Sequence, residues 1–127
     1  QNAASITVLG ALGGRLDQML ANILLLTMPA LAACEVRLVD GVQTAFVVHD
    51  AAQLAGQVGD TISLIPLRGD AHGVTTRGLL YPLEDDVLPF GLGLGVSNEI
   101  TATPASVQLR QGLLLCVHLP RDYAQEV

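Results

Sequence analysis

The chain has no tryptophan and no lysine, and only two tyrosines, two phenylalanines and two cysteines in 127 residues. Each shortage excludes something. Six arginines are its only fixed side-chain cations, set against twelve acids, for a net charge of −6. No basic stripe exists to track a phosphate backbone, which argues against nucleic acid as a partner. Cys34 and Cys116 stand far apart, without zinc spacing, and are too few for a secreted disulfide framework. They read as buried free thiols of a cytoplasmic protein. The longest apolar run, residues 23–34, contains Thr27 and Pro29 and spans about 12 residues, where a membrane helix needs about 20. No basic segment precedes an apolar run, so no leader peptide and no membrane are expected.

Hydrophobic residues make up half the chain. A chain of this length buries roughly two-thirds of its unfolded surface and builds one core. Two patterns divide it. Residues 6–9 form a short apolar run, plausible as a buried strand, which Gly10, Gly13 and Gly14 interrupt. Leu16, Met19, Leu20, Ile23, Leu24 and Leu26 then recur at close to helical spacing, and Pro29 ends the helix near Met28. Strand, glycine turn and helix start form an arrangement suited to an anion, because the first helical N–H groups lack partners. Arg15 adds a planar cation there and Asp17 a carboxylate in the first turn. A plain tight turn with a surface arginine explains the same residues.

From Glu35 the pattern changes. Short β-type runs occupy residues 36–39, 44–48, 61–66, 73–76, 79–83, 97–101, 106–109 and 113–119, separated by turn material such as Asp40-Gly41, Gly59-Asp60 and residues 84–86. Many short strands at this spacing indicate an antiparallel β-sandwich or barrel. A single βα unit cannot cover both faces of its strand. Residues 1–34 therefore read as the last βα unit of an α/β domain, and residues 35–127 as a β-sandwich.

The bland readings have their place. Gly91–Gly95 is not followed by a helical pattern, so it reads as turns or bulges and not a phosphate loop. Asp85 and Asp86 read as a solvated acidic turn. His49, His72 and His118 lack ligand spacing and read as surface or half-buried histidines.

The run GALGGRLDQMLANILLL, with Gly13, Gly14, Arg15, Asp17 and Asn22, resembles the GGRxDH signature that closes the catalytic domain of thiamine pyrophosphokinases. Gln18 stands where many bacterial members have histidine. TISLIPLRGDAHGVTTRGLLYPLEDDVLPFGLGLGVSNE is similar to the thiamine-binding β-domain of the same family, with its SLIPL strand, GVTTxGLxYPL hairpin, acidic turn and SNE.

The resemblance implies transfer of a pyrophosphoryl group from ATP to thiamine, giving thiamine diphosphate and AMP, in a homodimer with the active site across its interface. It implies that Gly13, Gly14 and Arg15 face the nucleotide, that Asp17, Ser97 and Asn98 hold the thiamine pyrimidine, and that Arg15 and Asp17 carry catalytic roles. Asn22 would support the site. The magnesium-binding GDxDS and QDxTD motifs of the family do not occur here, so this stretch alone is expected to hold no metal and to be inactive. Some relatives stack a tryptophan on thiamine just after the SN pair; here stacking would come from Phe90, Tyr81 or elsewhere, or be absent. The alternative is a non-catalytic β-sandwich module for binding or oligomerisation.

Overall fold

A computed structural model describes residues 5–9, 15–28 and 35–122. Among these residues ten strands form two facing sheets, accompanied by one helix. The first sheet has the order β1-β2-β3-β10-β5-β8 and the second β4-β9-β6-β7. In the first are β1 (Ser5–Leu9), β2 (Glu35–Asp40), β3 (Gln43–Val48), β5 (Thr61–Pro66), β8 (Asn98–Glu99) and β10 (Leu114–Leu119). In the second are β4 (Ala51–Leu54), β6 (Ala71–Arg77), β7 (Asp86–Leu88) and β9 (Ala105–Gln108). All pairings are antiparallel except β1 with β2, which run parallel across the connection that contains α1 (Leu16–Leu25).

The fold expected from the sequence is the one observed: mainly β, an antiparallel sandwich preceded by one βα unit. Alternation sorts the side chains. On the inner face Phe46, Val48, Ile62, Leu64, Leu114 and Cys116 meet Leu54, Val74, Leu88 and Val107 of the second sheet. The outer face puts Val36, Leu38, Ala45 and Leu115 against Leu26 and Ile23 at the end of α1. A side-chain period of two is what makes one strand serve both cores. Cys116 is wholly buried, and burial pushes its thiol up to about 12, so it is an inert core residue.

The helix continues for one tighter turn, with Thr27 N–H donating to Leu24 O and Met28 N–H to Leu25 O, in keeping with the expected end near Met28. Pro29, Cys34 and the glycines at 10, 13 and 14 lie outside the described residues. No described helix is long and apolar enough to cross a membrane.

Three strand expectations need correction. Residues 6–9 lie in β1, but that strand is exposed and not buried. Residues 79–83 form no strand; only Leu79 bridges to Ile100. Pro82 has no N–H to donate, and the Asn98 side chain takes the backbone of Tyr81 instead. Residues 97–101 shorten to the two-residue β8. Two strands were not anticipated: Ala51–Leu54 (AAQL) lacks β-branched residues, and Asp86–Leu88 begins inside the acidic turn.

Candidate functional site

The loop before β8 is held more rigidly than its glycines suggest. Gly95 O accepts from Leu64 N–H at 2.8 Å, and a Cβ on Gly95 would collide with the Leu64 carbonyl oxygen. Only glycine lets this loop lie so close against β5. Ser97 follows with φ +64, a left-handed conformation that costs a non-glycine residue about 1–2 kcal/mol. Its N–H donates to Ser63 Oγ at 2.9 Å, which anchors that conformation. Asn98 is 8 % exposed. Its Oδ1 accepts from Tyr81 N–H at 3.0 Å and Glu99 N–H at 2.9 Å, and its Nδ2 donates to Tyr81 O at 2.9 Å.

The SN pair thus splits into two jobs. Ser97 is exposed on a strained, anchored backbone, and strain of this kind marks sites where geometry matters. Asn98 clamps the backbone of Tyr81, whose ring remains exposed. Leu80, Phe90, Leu92, Leu94 and Val96, in the loops between Leu79 and β8, are also exposed. As expected, the GLGLG segment is a turn with no helix after it.

Arg15 and Asp17 stand at the start of α1. Arg15 is the residue before the first helical position, and its guanidinium grips Asp17 through Nε at 3.1 Å and Nη2 at 2.6 Å. Asp17 Oδ1 also accepts from Gln18 N–H at 2.8 Å. The Arg15 guanidinium, with that N–H, holds the Asp17 carboxyl below its ordinary value. Both side chains are exposed, 80 % and 67 %. Gln18 donates to Asn22 Oδ1 one turn on. Gly13 and Gly14 lie outside the described residues.

Sequence reading missed Asp60. It is 4 % exposed, yet its carboxylate receives Gln57 N–H at 2.9 Å, Arg121 N–H at 2.9 Å and His118 Nε2 at 2.8 Å. Burial alone would raise this carboxyl; the Gln57 N–H, His118 and Arg121 N–H outweigh it and hold it below its ordinary value. His118 is half-buried, as expected, but fifty-eight residues separate it from Asp60, so no local motif announces the pair. The acidic turn is exposed as expected, with Asp85 paired to Arg110 at 2.7 Å. Among the described residues no three His, Cys, Asp or Glu side chains gather as a metal site.

A two-sheet sandwich with a βαβ unit on its edge defines the chain as a mainly β domain of sandwich type. The particular family follows from comparison. The family profile described as "Thiamin pyrophosphokinase, vitamin B1 binding domain" matches residues 51–114, and the chain belongs to that family.

It is similar to the thiamine pyrophosphokinase of Bacillus subtilis (strain 168), 29% identical over 115 residues that cover 88% of this chain and 53% of the relative. A crystal structure of thiamine pyrophosphokinase from Bacillus subtilis superposes with a TM-score of 0.84 at 27% identity, covering 91% of this chain and 55% of that one. The thiamin pyrophosphokinase from Candida albicans, 18% identical, has the same fold, with a TM-score of 0.77 over 94% of this chain and 45% of that one. The chain spans about half the length of the curated relative it matches.

Proposed function

We propose that the chain is the C-terminal portion of an enzyme that transfers pyrophosphate from ATP to thiamine, giving thiamine diphosphate and AMP. Residues 1–34 are the last βα unit of the catalytic α/β domain, and residues 35–127 the thiamine-binding sandwich. One observation carries the reading: the profile match over residues 51–114 includes both halves of the Asn98–Tyr81 clamp and the strained Ser97 between the clamp and the glycine turn.

In this reading Ser97 offers the pyrimidine edge a hydroxyl that both donates and accepts. Asn98 acts through Tyr81, by fixing the loop, and Tyr81 or Phe90 supplies the stacking face. Asp17 carries a negative charge suited to the pyrimidine amino group, and Arg15, with Gly13 and Gly14, faces the ATP phosphates. Magnesium belongs to the part of the enzyme that carries the acidic motifs. The enzyme is cytoplasmic and works as a homodimer that brings the loop of one copy to the α1 start of the other. The exposed Phe90, Leu92 and Leu94 support such an interface, and equally support the second reading, an oligomerisation module without catalysis.

Calorimetric titration of the 127-residue chain with thiamine separates the readings, alongside an assay for AMP release with ATP, thiamine and magnesium. We expect thiamine binding that Ser97→Ala weakens by roughly fivefold, the equivalent of about 1 kcal/mol for a neutral hydrogen bond, and no AMP release. A folded, self-associated chain blind to thiamine would favour the module. Turnover that copurifies with the chain would overturn its inactivity.

A further inference from the structure

The inner face of the first sheet is apolar except at one end. Arg37 of β2, Thr44 of β3 and His118 of β10 occupy inward positions there, in a pattern that elsewhere gives Val48, Leu64, Leu114 and Cys116. The register sets Thr44 opposite His118 and Arg37 opposite Phe46. A cavity of about 160 Å³ opens among them, walled also by Leu54 and Gly56. At about 30 Å³ per water, it has room for a small ion with some of its hydration.

The cavity has a charge and a direction. The Arg37 guanidinium lies over the Phe46 ring, 4.6 Å from its centroid. Stacking of that kind holds the plane of the fork and leaves its N–H edge available. Among the described side chains no carboxylate pairs with Arg37 and no group bonds the Thr44 hydroxyl. Asp60 fixes the His118 ring through Nε2 and lies against Gly56 of the cavity wall, without itself lining the cavity. Polar groups on an inward face are costly unless something satisfies them. Asp60 accounts for His118; Arg37, stacked on Phe46, and Thr44 are half-buried, so water reaches their donors and an anion entering the cavity would take its place.

We propose that this cavity binds a small oxyanion, a phosphate or a carboxylate group, gripped by the Arg37 fork and the Thr44 hydroxyl against the His118 ring. Charge-assisted, bidentate contacts are what such a donor set forms best. The site is separate from the Ser97 loop, which anchors on Ser63. That residue alternates with the inward Ile62 and Leu64 and so belongs to the opposite face of β5.

The test is titration of the isotopically labelled 127-residue chain with inorganic phosphate and, separately, with acetate, followed by NMR. We expect shifts at Arg37, Thr44 and His118 with at least one ion; the ion preferred tells phosphate from carboxylate. Arg37→Met keeps a long stem over Phe46 and removes the fork, and should weaken binding at least tenfold; Thr44→Val should weaken it severalfold. Should Arg37→Met not fold, Thr44→Val decides alone. Shifts confined to other surfaces, or equal affinity in a folded variant, would mean an adventitious ion only and overturn the proposal.

Discussion

Asp17 and Asp60 are both aspartates whose carboxyls lie below their ordinary value because of hydrogen bonds, yet they belong to regions built on opposite principles. Around Asp60, two sheets close over a continuous core and every polar atom of the carboxylate is engaged. Around Asp17, the helix has no buried residue, all of β1 is exposed, and Leu16, Leu20, Leu24 and Leu25 face outward. The first region is folded for itself. The second packs only Ile23 and Leu26, at the end of its helix, against the sheet and leaves most of its apolar side chains exposed. The same local chemistry thus stabilises the fold in one place and lies exposed to solvent in the other.

The largest effect should come from breaking the buried side of this contrast. Removing one partner of a buried pair leaves the other uncompensated, so Asp60→Ala should cost about 3 kcal/mol, read as a lower denaturant midpoint with unchanged slope. Acid should do the same by degrees. The folded carboxyl is depressed, so its contribution is fully present above the ordinary value of 3.8 and is lost as pH falls below it through the folded value. Melting of the parent should therefore drop between pH 5 and the acid limit more steeply than melting of Asp60→Asn. Parallel curves would show that the carboxylate carries no linkage.

Sequence made the strands legible where alternation and β-branching coincide. The run at residues 61–66 has the bounds of β5, and residues 113–119 differ from β10 by a single residue. It failed where a side chain replaces a strand, as Asn98 does at Tyr81, since a residue seventeen positions away leaves no periodic trace. The candidate site was half legible. Ser97 and Asn98 stood out as a pair, but their different jobs depend on a backbone angle and a clamp that composition does not encode. Asp60 was hidden for the reason it matters: Gly59-Asp60 looks like any turn, and its partners are His118 and Arg121 at the other end of the domain.

A smaller effect sharpens the other side. Leu16→Ser and Leu20→Ser alter exposed positions, so each should shift the stability of this chain by no more than about 0.5 kcal/mol. Self-association should fall at the same time, because contiguous exposed apolar surface drives contact between copies. Sedimentation velocity beside chemical denaturation reads both. A loss above 2 kcal/mol would mean that the helix is already packed and that the contrast is false.

The smallest stability change, and the most informative, belongs to Asp17 itself. An ion pair as exposed as Arg15–Asp17 is screened by water and holds little folding energy. Asp17→Asn should therefore leave the melting of this chain unchanged within error. Its consequence should appear only with substrate. In the enzyme proposed above, loss of a hydrogen bond to a charged group should reduce thiamine use by roughly tenfold or more. Arg15→Lys keeps the charge but loses the fork, so ATP use should suffer most. The pair also couples the two: each side chain now orients the other through two contacts. If Arg15→Lys impaired thiamine and ATP equally, Arg15 would act mainly by positioning Asp17. If Asp17→Asn were silent with thiamine in a folded enzyme, the carboxylate would be a helix-start residue and nothing more, and the α1 start would lose its place in the site. Stability cannot separate these outcomes, because the region around Asp17 stores so little of it; only the pattern across the two substrates can.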